Sequence, residues 1–229
     1  MMMAGCEKQA ENENTVNNMN SFDLNIQGFS DASGAKTHWD DAGLWWDEEG
    51  SDYLVINGVS FQVKKDGDKW KAISTDGVGP DDNKFYVAYP YNGSSVYDRD
   101  NHTYGPVEFD GETIPLAAVT TSNSITLWPC CAVIKVKNCE WADISFDDIR
   151  SGAAYSVGTI DISTHSIIDG DEETYFGSGI TDDNNNAYIA IPLGPDGIEA
   201  TFTICGNSTQ EPHKLVNGGL YVVDFSKGF

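Results

Sequence analysis

Tyr53-Leu54-Val55-Ile56-Asn57-Gly58-Val59-Ser60-Phe61-Gln62-Val63 decides the fold. Two short runs of β-branched and aromatic residues flank Asn-Gly. That pair tolerates the positive φ angles of a type I′ turn, whose twist matches the strands it joins. The stretch therefore predicts an antiparallel hairpin. Asp66-Gly67 marks the next turn and leads into Lys69-Trp70-Lys71-Ala72-Ile73. Upstream, Phe22-Asp23-Leu24-Asn25-Ile26-Gln27 alternates apolar and polar residues, which puts its apolar side chains on one face of a strand. Downstream strands are expected at Phe85-Tyr86-Val87-Ala88-Tyr89, Gly105 to Phe109, and Ser124-Ile125-Thr126-Leu127.

The second half repeats the style. Cys131-Ala132-Val133-Ile134-Lys135-Val136-Lys137 has the apolar start of a strand buried on both faces. Ile198 to Ile204 alternates again, and Leu220-Tyr221-Val222-Val223-Asp224-Phe225 is a further strand. Gly, Pro, Asn and Asp clusters such as Gly79-Pro80-Asp81-Asp82-Asn83 punctuate the chain. The single helical candidate is Trp141 to Ile149, a turn or two. Many short strands separated by turn signals predict an all-β protein of sandwich type. A proline before a fresh apolar strand places a boundary near Leu127 to Pro129. The expected domains are residues 22–127 and 128–229, with one large sandwich of about 200 residues as the alternative.

Composition narrows the function. The 36 acidic residues against 13 basic ones give a net charge of −23, a field that repels nucleic-acid backbones. No apolar run approaches the roughly 18 residues of a membrane-spanning helix. The 10 Phe, 10 Tyr and 6 Trp suffice for a packed core. Hydrolytic chemistry needs a nucleophile with its base or two opposed carboxylates. The chain has no Gly-x-Ser-x-Gly elbow, Walker loop or His-Glu-x-x-His motif, and His38, His102, His165 and His213 lack ligand spacing. Neither a catalytic residue nor a metal or cofactor is expected. Asp169-Gly170-Asp171-Glu172-Glu173 and Asp182 to Asn186 lack the spacing of a calcium loop and read as solvated turns. Cys130, Cys131, Cys139 and Cys205 allow three disulfide pairings. They lack Cys-x-x-Cys spacing and read mostly as small buried hydrophobes.

The N-terminal residues carry a different signal. Met3-Ala4-Gly5-Cys6 reads as a lipobox, with Cys6 as the lipid-attachment site. Residues 1–5 are then the remainder of a signal peptide, whose apolar stretch normally runs to about 7–15 residues. Residues 6–21, rich in Glu, Asn, Gln and Lys, read as a disordered polar tether to the outer membrane.

Five further segments give the chain a family likeness. They are Ala35-Lys36-Thr37-His38-Trp39 followed by Trp45-Trp46-Asp47, Tyr86-Val87-Ala88-Tyr89-Pro90-Tyr91, Ala132 to Lys137, Tyr188-Ile189-Ala190-Ile191-Pro192 with Gly194, and Gly218 to Phe225. In this order, behind a lipobox, they resemble the fimbrillin-like family, lipid-anchored precursors of surface fimbriae in Gram-negative bacteria. The resemblance implies two tandem transthyretin-like β-sandwiches and a structural or adhesive role. It also implies proteolytic removal of an N-terminal strand, whose groove a strand of another subunit fills. Phe22 to Phe29 would be the removable strand and Lys36 the processing site. No arginine precedes Arg99, which departs from an arginine-specific cut. Four residues follow Phe225, which leaves no separate donor segment and favours an anchor, tip or accessory subunit.

The expected partners are other fimbrial subunits, the outer membrane, and host or bacterial surface glycans or proteins. The alternative is a surface glycan-binding lipoprotein of a carbohydrate-uptake system. Trp39, Trp45, Trp46, Tyr89, Tyr91, Tyr97 and Tyr104 would then form a sugar-stacking platform rather than plug the core.

Overall fold

The computed structural model describes residues 20–27, 30–31, 52–77, 79–80, 82–111, 113–178, 181 and 184–225. Cys6, Lys36, Trp39, Trp45 and Trp46 lie outside these residues, as do residues 6–19 of the expected tether and Phe29, while Ser21, expected in the tether, is the first residue of a strand. Among the described residues the chain is all β, with sandwich-like sheets and no helix.

The first half closes on itself. Its strands are β1 (Ser21–Ile26), β3 (Tyr53–Ile56), β4 (Val59–Asp66), β5 (Lys69–Ser74), β6 (Phe85–Tyr89), β9 (Leu116–Thr120) and β10 (Ser124–Pro129). They form a barrel in the order β1-β10-β9-β6-β3-β4-β5. The predicted hairpin is present: Ile56 pairs with Val59 across Asn57 and Gly58, whose φ angles are 48° and 86°. Phe22, Leu24, Leu54, Ile56, Phe61, Val63, Phe85, Val87, Ile125 and Leu127 fill the interior.

The second half is built on two long strands, β12 (Ala142–Asp161) and β15 (Ala187–Ile204). They pair antiparallel through three register shifts. At one of these Gly152 has a φ of 78°, and a Cβ there would meet the Gly197 carbonyl oxygen, so only glycine admits this crossing. Around this pair lie β2 (Ser30–Asp31), β7 (Val96–Asp98), β8 (Thr103–Glu108), β11 (Cys131–Val136) and β18 (Gly219–Val223). The path through the sheet is β2-β18-β11-β15-β12-β8-β7. Four short strands join it from the side: β13 (Ser166–Glu172), β14 (Tyr175–Ser178), β16 (Asn207–Ser208) and β17 (His213–Leu215).

One local reading needs correction. Trp141 to Ile149 is not helical; most of it is the start of β12. Ala142, Ile144 and Phe146 are buried while Asp143 and Ser145 are less so, a period of two that a sheet uses and a helix cannot. Strand pairing also runs across residue 127. β7 and β8 belong in sequence to the first half, yet β8 pairs with β12 in the second-half sheet.

A shared core lies where the halves meet. Val55, Tyr86, Ala88 and Ala117 point out of the barrel and pack with Tyr104, Val107, Ile160, Ile162 and Ile167. The runs at Leu54 to Ile56 and Phe85 to Ala88 are therefore continuously apolar because both faces of those strands are covered.

Candidate functional site, the β1 groove

β1 sits between two strands far from it in sequence. It pairs antiparallel with β5, Phe22 opposite Ala72 and Leu24 opposite Trp70. On its other edge it pairs parallel with β10, Leu24 opposite Ile125 and Ile26 opposite Leu127. Every other pairing in the barrel among the described residues is antiparallel. Its backbone is tied at both ends. The Asp23 amide donates to Asn123 O at 2.8 Å, and the Gln27 amide donates to Leu127 O at 2.7 Å. Asn20 O accepts from the Ser74 amide at 2.9 Å.

The side chains explain why this strand occupies the seam. Phe22 is 1% exposed and makes edge-to-face contacts with Phe61 and Phe85, at ring-centroid distances of 5.6 and 4.9 Å. Leu24 is also buried, while Asn25 faces solvent. Burying Phe22 and Leu24 contributes about 1.5–3 kcal/mol each. Beside the C-terminal half of β1 lies a cleft of about 370 Å³, lined by Leu24, Ile26 and Trp70, with Asp23, Asn25, Asp68, Lys69 and Ser124 around them. Lys69 Nζ lies 3.6 Å from Asp23 Oδ2 on the exposed rim, a pair that contributes little in water.

Without β1, the barrel would present two unpaired edges, on β5 and β10, and an apolar slot the size of Phe22 and Leu24. An extended segment with the same alternation satisfies both. Sequence reading identified the strand but missed its partners. Trp70 and Ser124 come from segments recognisable as strands, yet nothing local in them marks a shared groove.

The other sequence candidates are placed as follows. Tyr104 is buried at 1% exposure and Tyr86 is buried, its ring stacked on His102 at 3.6 Å. Tyr91 and Tyr97 pack against the shared core, and Tyr89 packs against the barrel interior, its hydroxyl donating to Asp52 Oδ1 at 2.7 Å. Burial, together with the Asp52 carboxylate, raises the Tyr89 phenol above its ordinary value. The described tyrosines that the alternative reading would use as a platform thus pack inward. Among the described residues the exposed large aromatics are Trp128, Trp141, Tyr175 and Phe225, none of which the sequence reading singled out as a platform. Among the described residues no group of three or more His, Cys, Asp or Glu side chains is placed to hold a metal ion.

Three of the five segments behind the family likeness become neighbours. Gly219–Val223, Cys131–Val136 and the start of β15 lie side by side as β18-β11-β15, with Ile134 between Tyr221 and Ile189.

No family model matches the chain, and no curated protein matches it. Among solved structures, a "putative cell adhesion protein" from Bacteroides ovatus aligns over 91% of this chain and 92% of its own, at 11% identity and a TM-score of 0.49. One from Bacteroides uniformis aligns over 90% and 93%, at 13% identity and a TM-score of 0.49. A fimbrial assembly protein from Parabacteroides distasonis aligns over 89% and 90%, at 10% identity and a TM-score of 0.35.

Proposed function

We propose that this chain is a surface fimbrial subunit, structural or adhesive, that joins other subunits by exchange of a β-strand. In this reading the lipid on Cys6 holds the precursor to the outer membrane. A cut at Lys36 frees the segment that carries β1, and a strand from a neighbouring subunit takes its place.

The observation that carries the reading is the position of β1. It is a short strand, paired on both edges, whose Phe22 and Leu24 complete a core that the other six strands of the barrel enclose. An inserted strand of this kind has the two properties that exchange requires: its backbone bonds can be remade by any extended chain, and its side-chain pockets select the sequence. The order of the fimbrillin-like segments, and the assembly of three of them into adjacent strands, supports the same family reading. The absence of arginine before Arg99 points to a protease that accepts lysine.

Treating whole cells or outer-membrane vesicles with a lysine-cleaving protease tests the reading. Release of an N-terminal fragment accompanied by association of the remaining body with other fimbrial subunits is the expected result. A body that stays monomeric both before and after the fragment leaves contradicts strand exchange. The glycan-binding alternative calls for an open aromatic face. A saturable tryptophan-fluorescence change with one polysaccharide would favour it instead.

A further inference from the structure

The four cysteines of the body fall into two classes. Cys130 and Cys131 are fully buried, and burial holds both thiols well above their ordinary value, which leaves almost no reactive thiolate. Cys139 and Cys205 are only partly buried, at the edge of the second-half core. They are 205 − 139 = 66 positions apart in the chain, yet both meet the start of β12: Cys139 Sγ donates to Trp141 O at 2.7 Å, the Cys205 amide donates to Asp143 Oδ1 at 3.1 Å, and the Cys205 thiol feels the Cys139 thiol.

Both backbones are fixed. The Cys139 amide donates to Asn185 O at 2.7 Å, and the Cys205 amide donates to Asp143 O at 3.1 Å. Cys205 also occupies an unusual position. With Gly206 it forms the two-residue turn between β15 and β16, where Ile204 pairs with Asn207, and its φ is 48°. Asn or Gly is the ordinary occupant of such a site, because a side chain branching from an L-residue is disfavoured there. A cysteine that accepts this backbone cost opposite a second cysteine is explained by its sulfur.

We propose that Cys139 and Cys205 are a disulfide-forming pair that clasps the β11–β12 connection to the β15–β16 turn. The oxidant is a small or protein-borne disulfide, R–S–S–R. One cysteine thiolate attacks it, forms a mixed disulfide and expels one R–S⁻. The second cysteine thiolate attacks the protein sulfur of that mixed disulfide, forms the Cys139–Cys205 bond and expels the second R–S⁻. Two electrons pass to the oxidant, and the two protons lost by the cysteines are taken up by the released thiolates. In the cell this closure rests on the proposed export, because reducing compartments keep thiols open. The bond would close a long loop of the unfolded chain, so it acts as a staple on the second half.

The test uses the full chain with Cys6→Ser, reduced, purified and then equilibrated with oxidised and reduced glutathione. Intact mass should fall by two hydrogen atoms, and digestion should yield one linked peptide containing Cys139 and Cys205. Cys130 and Cys131 should alkylate after unfolding. The bridged form should melt higher than the reduced form by on the order of 10 °C, a shift that Cys139→Ser removes. Four freely alkylated body thiols, persistent glutathione adducts without a bridge, or a bridge through Cys130 or Cys131 would overturn the proposal. Mapping the thiols of protein taken from cells separates the two readings. A pair that closes in glutathione but arrives reduced from cells supports the clasp and counts against export.

Discussion

Asn57 shows how one residue both forms a turn and braces its surroundings. Its backbone adopts the left-handed conformation that the hairpin needs, and its side chain then reaches into the neighbouring loop. Nδ2 donates to Asp82 Oδ2 at 2.8 Å and to Lys84 O at 2.9 Å, while Oδ1 accepts from the Tyr86 amide at 2.7 Å. Asn57→Ala removes these bonds and leaves a buried amide without its acceptor, which costs about 1–3 kcal/mol. Urea unfolding should show the loss, and Asn57→Asp should not recover it, because its second carboxylate oxygen would face Asp82 Oδ2 and Lys84 O, which only a donor satisfies. His165 offers a test by pH. Burial, opposed by the Asp161 carboxylate, holds its imidazole below the ordinary value, and its ring stacks on Trp128 at 5.9 Å. The folded state therefore favours the neutral ring. Stability from this group is complete above the unfolded value of about 6.5 and falls as the pH drops below it, because the unfolded chain binds the proton first. Unfolding measured from pH 7 to pH 5 should lose this component in His165→Asn, a residue that tolerates the same positive φ.

At the scale of elements, β1 is the part on which the proposed strand exchange depends. Phe22→Ala leaves a cavity against Phe61 and Phe85, and in the uncut chain it should cost about 3–5 kcal/mol by chemical denaturation. A loss below about 1 kcal/mol, less than even an Ile→Val change often costs, would mean that β1 is not part of the stable core. This strand, the Asn57-Gly58 hairpin and the strands at residues 85–89 and 131–136 were legible in the sequence because each carries its own period and turn chemistry. Residues 141–149 were misread as helical, although Ala142, Ile144 and Phe146 alternate with polar residues as a strand requires. The destination of β7 and β8 was not legible at all. Nothing in Thr103–Glu108 states that its partner lies at residues 157–161, since strand pairing over that distance is settled by packing of the whole chain. The contact between Cys139 and Cys205 was hidden for the same reason.

At the scale of the whole molecule, the net charge of −23 sets the balance between solubility and self-repulsion. The described ion pairs are few and mostly exposed: Lys69–Asp23, Lys71–Asp66, Arg99–Asp82 and Lys137–Asp224. They leave most of the acidity unscreened except by salt. Raising the ionic strength from 0.01 to 1 M shortens the Debye length from about 30 Å to about 3 Å, so Tm should rise steadily over that range. A flat or falling Tm by calorimetry would show that the acidic groups are too widely spaced to repel. The same charge suits a surface exposed to solvent.

The central claim, that β1 is an exchangeable strand, is tested most directly by displacement. The chain is cut at Lys36 with its N-terminal fragment still seated, and a fluorescent peptide spanning residues 20–27 is added in excess. The account predicts that the peptide enters at one per body and expels the fragment, and that a peptide carrying Phe22→Asp does neither. A fragment that stays bound at every peptide concentration, or uptake indifferent to Phe22, would contradict it.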